Sequence, residues 1–157
     1  MAIQTLAHHH EHAAPHADLG RWVIVGAVSG ALAVIAFHQA AAALLFSLGM
    51  TERAPFALQP TQPLGVPQLW SITFWGAVWG AVLAAALRRF DGARLIALAT
   101  LFGAVFPTLV AWTLVAALKG QPLFAGGAAM GIAVGLIVNA AWGLGTGVGL
   151  ALFGRRR

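Results

Sequence analysis

Residues 21–49 read RWVIVGAVSGALAVIAFHQAAAALLFSLG, with one charged side chain, Arg21, at the first position and no Asp, Glu, Lys or Arg after it. About 20 consecutive apolar residues cross the hydrocarbon core of a bilayer, so this run is a membrane span. At 1.5 Å per residue a helix over 22–48 is about 40 Å long, and it must tilt or protrude. It is too long for the core of a signal peptide, and only Arg21 stands before it as a basic residue, so no cleavage is expected.

The rest of the chain follows the same chemistry. Of 157 residues, 60% are hydrophobic and 8% charged, against roughly a quarter charged in soluble domains. Three further apolar runs, about 69–87, 94–118 and 128–153, predict an all-α integral membrane protein, a four-transmembrane-helix bundle. The domains expected are a His-rich flexible tail over 1–20 and a transmembrane domain over 21–157. The lipid bilayer is the first partner. Nucleic acid is not expected, because the nine Lys+Arg lie mostly at span ends, where they set topology.

Arg21, Arg88, Arg89, Arg94, Arg155, Arg156 and Arg157 fall on one side of a four-span layout; Arg53 and Lys119 fall on the other. The positive-inside bias predicts both termini in the cytoplasm. The link RRFDGAR is short and turns at Asp91-Gly92, making spans 2 and 3 an antiparallel hairpin. The link between spans 1 and 2, TERAPFALQPTQPLGVPQ, carries four prolines and predicts a non-helical strap, read as a connector over the bundle in preference to a docking surface.

Small residues mark where helix backbones approach in lipid. Gly26 and Gly30, Gly76 and Gly80, and the series Gly127, Gly131, Gly135, Asn139, Gly143 and Gly147 predict glycine-rich packing faces, the last a groove for a neighbouring helix. Pro107 cannot donate to the carbonyl of Gly103, which predicts a kink. Trp22 and Trp70 sit at span ends and are expected in the interfacial belt; Trp79, Trp112 and Trp142 lie deeper, where their N–H groups need acceptors. A Trp-Gly pair followed by terminal arginines occurs in both span 2 and span 4, a faint echo that Ala/Gly-rich composition also produces by chance.

The spans carry no Asp, Glu, Lys or Arg, so acid–base catalysis and ion coupling lack their usual groups. With no cysteine, disulfides and thiolate metal sites are excluded as well. By helix position His38, Asn139, Pro107 and Thr108 are expected together at the bilayer midplane. This cluster is read as interhelical glue, with a proton-sensitive polar site as the alternative. Gln39, about 100° around the helix from His38, is expected on the lipid face, where it points to a second interface. His8, His9, His10, His12 and His16 in the tail are candidate ligands for a weakly bound transition metal; no other cofactor is expected.

FHQ in span 1, PLGVPQ in the strap and FWGAVWG in span 2 resemble a group of small four-span bacterial inner-membrane proteins. The resemblance covers roughly residues 22–90 and implies a bacterial inner-membrane location. It transfers no functional residue. Cobalt and nickel permeases also pair His-rich segments with small membrane subunits, but their His-and-acid motifs are missing from these spans. The expectation is a non-enzymatic accessory or assembly subunit, or a homo-oligomer. The competing reading is a small oligomeric permease or channel, for a transition-metal ion.

Overall fold

The structure, a computed structural model, describes residues 15–154, with side chains from Leu19 onward. It is an all-α bundle of four apolar helices, each long enough to cross a membrane. Helix α1 runs over Pro15–Ala33, passes through a π-helical turn at Val34–His38 and continues over Gln39–Ser47. Helix α2 is Gln68–Leu87. Helix α3 is Gly92–Val110, followed by a second π-helical turn, Ala111–Val115, and a last helical stretch Ala116–Leu118. Helix α4 is Ala129–Phe153. A two-stranded antiparallel ribbon, β1 Pro60–Thr61 and β2 Val66–Pro67, lies in the strap.

Helix α1 takes in the last six residues of the expected tail, 15–20. Pro15 is its first residue, where a fixed φ and a missing N–H fit the first turn. His8, His9, His10 and His12 lie outside the described residues. His16 falls in the first turn of α1.

Glycine sets the packing. A methyl on Gly30 would strike the Gly76 carbonyl oxygen, and one on Gly80 the Gly26 carbonyl oxygen, so α1 and α2 meet backbone to backbone. Helices α3 and α4 meet the same way: a Cβ at Gly103 would stand 2.8 Å from the Gly143 Cα, and one at Gly147 2.8 Å from the Ala99 Cβ. The pairs join through α1 and α4. Gly145 seats Phe37 and Ala33, Gly149 seats Ser29, and Trp142 Nε1 donates to the Gly30 carbonyl at 2.9 Å. Helices α2 and α3 meet through aromatic edges, Trp79 against Phe102 at 6.0 Å.

Two expectations change here. The six-member series on α4 is not one groove. Gly127 precedes the helix with φ +76, Gly131 meets Ala125 in the loop, and Gly135 seats the Trp112 indole. A four-residue step overshoots a 3.6-residue turn by about 40°, so early members rotate away from the face that Gly143 and Gly147 use. A second face, Gly145 and Gly149, takes α1 instead. Trp22 is not in an interfacial belt: it is 6% exposed, lies on Gly154 and donates from Nε1 to the Ala84 carbonyl at 2.6 Å. Trp70, at 60%, is exposed.

The ends of the bundle differ. At the basic end, Arg21 donates to the carbonyls of Gly154 (2.7 Å) and Phe153 (3.0 Å), capping orphan acceptors where the dipole of α4 is negative. At the strap end the chain from Lys119 to Ala128 turns through Phe124, Ala125 and Gly126, all with φ of 50–65°.

Candidate functional site

Register places the polar residues. Gly30 faces Gly76 and Gly80, so counting about eight residues toward the strap end reaches His38 on α1 and the first turn of α2. Ala33 faces Gly145; six residues further on each helix are Gln39 and Asn139. Gly103 faces Gly143; four further are Pro107 and Asn139. His38, Gln39, Pro107 and Asn139 therefore share a level to within about one turn. That level is where α2 begins. If α2 crosses the membrane, the cluster stands near its strap-side boundary and not at the midplane. Depth counted along each helix alone does not register this offset: α1, α3 and α4 each continue about 8–11 residues beyond the level and α2 does not.

The cluster is two units. Asn139 Nδ2 donates to Thr108 Oγ1 at 2.9 Å, and Thr108 Oγ1 points back to the Gly135 carbonyl at 3.5 Å. This ties α3 to α4, with Thr108 1% exposed. His38 is held elsewhere: its Nδ1 stands 3.4 Å from Gln39 Nε2. Among the described residues no hydrogen bond joins His38 to Asn139 or Thr108. Helix α3 stays α-helical through Pro107, and its departure from α geometry comes at Ala111–Val115, where Ala116 N–H donates to the Ala111 carbonyl.

Gln39 is the residue the sequence misplaced. It is 4% exposed, and its Oε1 accepts the Phe56 backbone N–H at 2.6 Å. A π-helical turn immediately precedes it. Gln39 N–H donates to Val34, five residues back. A π turn takes one more residue than an α turn, so later residues lag by about 100° relative to a uniform wheel. Gln39 stands just past this turn, and the strap that bonds to it covers it. No residue in VIAFH announces the turn.

The oxygen of Gln39 is committed to Phe56, so its NH₂ faces His38. The His38 Nδ1 is therefore an acceptor, and the ring proton sits on Nε2. Other hydroxyls inside the spans bond back to the preceding turn: Thr73 to Leu69, Thr100 to Ile96, Thr113 to Leu109 and Thr146 to Trp142. Among the described residues no deeply buried side-chain nitrogen or oxygen lacks a partner, and no three His, Cys, Asp or Glu side chains converge. On the strap, a crevice of about 320 Å³ is lined by Glu52, Arg53, Ala54, Ala57, Gln59 and Gln68.

The fold and this arrangement define a multi-pass α-helical membrane protein whose buried polar groups hold helices and strap in register. Comparison of the chain with protein-family models, with curated proteins and with solved structures gives no match.

Proposed function

We propose that this chain is a non-enzymatic subunit of a bacterial inner membrane, with the basic end of the bundle in the cytoplasm, acting as an accessory or assembly component or as a homo-oligomer. One observation carries the reading: among the described residues no deeply buried side-chain nitrogen or oxygen lacks a hydrogen-bond partner within the chain. A group that is already satisfied holds structure together and offers little to a substrate. The location rests on the resemblance of the FHQ, PLGVPQ and FWGAVWG stretches, and the orientation on the arginines at one end. Purification of the tagged chain from its native membrane in a mild detergent tests the role. A second copy or a distinct membrane protein is expected to co-elute; a lone monomer after cross-linking in the intact membrane overturns the reading.

The π-helical turns favour a second reading, since such turns recur at functional sites. In it His38 and the tail histidines serve the passage of a transition-metal ion. Metal accumulation that falls with His38→Ala and with the tail removed supports transport; unchanged uptake in both variants removes it.

A further inference from the structure

We infer that the strap, residues 54–67, is an interfacial membrane element: it lies at the boundary of the hydrocarbon core at the strap end, in the headgroup layer, with Leu58 and Leu64 turned toward the acyl chains. Depth is the first ground. The Phe56 N–H is bound to Gln39, eight residues before α1 ends at Ser47. The strap therefore descends about 12 Å back toward the bundle instead of standing above it. The second ground is the sector it fills. Helix α2 has 20 residues, about 30 Å, the thickness of one hydrocarbon core. The other three helices rise a further 12–17 Å or so, and the strap lies in the sector that α2 leaves open.

The lipid belt of the neighbours continues past this level. Leu44, Phe46 and Leu48 at the end of α1, Leu114 and Leu118 on α3, and Met130 on α4 are all exposed. The sector above the start of α2 is the fourth side of the surface at that height. The strap supplies apolar side chains there: Leu64 is 83% exposed, Leu58 60% and Phe56 48%. None of the three lines the crevice of Glu52, Arg53, Gln59 and Gln68. No Asp, Glu, Lys or Arg occurs between Ala54 and Leu87.

At a membrane boundary non-helical backbone pairs its polar groups with protein or with interfacial water, and part of this segment is paired within the chain. Pro55, Pro60, Pro63 and Pro67 bring no N–H at all. Phe56 N–H goes to Gln39, Gly65 to the Thr61 carbonyl, Gln68 to Gln59 and Leu69 to Ala57. The Thr61 hydroxyl donates to the Val66 carbonyl. Gln39 thus ties the strap to α1 at this level.

The chain has no cysteine, so single labels test this directly. Leu58→Cys, Leu64→Cys and the polar control Glu52→Cys are each labelled with NBD. The purified full chain is reconstituted in phosphatidylethanolamine/phosphatidylglycerol vesicles. At 58 and 64 the emission is expected to be blue-shifted relative to 52, quenched by shallow doxyl-labelled lipid, and quenched several-fold less by iodide. Iodide quenching equal to that at 52 places the strap in water and overturns the inference. Protection from both quenchers means that a second copy covers the strap, and overturns it equally. Monodisperse elution of each labelled variant excludes misfolding as the cause.

Discussion

A glutamine side chain offers one carbonyl oxygen and one NH₂ group, and Gln39 uses both, one on the strap and one on His38. The two contacts differ in consequence. Losing the oxygen leaves the Phe56 N–H without a partner beside lipid, which costs about 1–3 kcal/mol. The Asn139–Thr108 bond joins two side chains that can be removed together, and such pairs in a membrane are worth about 0.6 kcal/mol, reaching about 1.7. Gln39→Leu is therefore expected to destabilise the protein more than the Asn139–Thr108 coupling energy. Reversible unfolding in mixed micelles measures both, the second as a cycle of Asn139→Leu, Thr108→Val and the double variant. A coupling larger than the Gln39→Leu loss refutes the ranking. At this scale the sequence named the right polar residues and mispaired them. His38, Gln39 and Asn139 stood out as the most polar side chains within the spans, and Thr108 joined them as the hydroxyl beside Pro107. That Gln39 is the more firmly anchored of the FHQ pair depends on a main-chain partner in a loop, and a backbone N–H leaves no mark in sequence.

Elements were the most legible level. Apolar runs bounded by arginines and prolines set four spans, and the helix ends fall within a few residues of those bounds. What stayed hidden is the pitch inside them. The turns at Val34–His38 and Ala111–Val115 are built from ordinary helix residues, and tertiary contact chooses the extra residue. Deleting Ala36 should restore α geometry and swing Gln39 by about 100° from the strap. The deletion is expected to destabilise about as much as Gln39→Leu, and adding Gln39→Leu to it is expected to change little further. A strictly additive double variant shows that the turn does not act through Gln39. Glycine spacing was legible where a methyl meets backbone. Gly30→Ala pushes a methyl into the α2 main chain and is expected to cost about 1–3 kcal/mol. Gly20 has no neighbour within 4 Å, so Gly20→Ala is expected to stabilise α1 by about 0.5–1 kcal/mol. Equal effects in thermal unfolding contradict the contacts assigned to Gly30.

At the scale of the molecule, one arrangement occurs twice. In the first hairpin Gly26 and Gly30 of α1 meet Gly76 and Gly80 of α2; in the second Ala99 and Gly103 of α3 meet Asn139 and Gly143 of α4. The residue before each central glycine of α2 and α4 is a tryptophan that reaches the other hairpin: Trp79 touches Phe102, and Trp142 bonds Gly30. Each hairpin also carries a π-helical turn in its first helix, on the strap side of the glycine contact. These features follow one another in the same order in the two hairpins, as in parallel repeats. The repeat is broken by the short α2, whose missing turns the strap replaces. Cohesion between halves is then concentrated at α1 and α4, where Gly145 seats Phe37 and Ala33. Cutting the chain between Asp91 and Gly92 and co-expressing the halves tests this division. Each half keeps its own backbone contact, so the two are expected to co-purify through a tag on one of them. Gly145→Leu fills the seat of Phe37 while leaving the Gly103–Gly143 contact untouched, and is expected to abolish co-purification of the halves while the second half still inserts. Co-purification that survives Gly145→Leu would show that the aromatic contact between α2 and α3 holds the halves together instead.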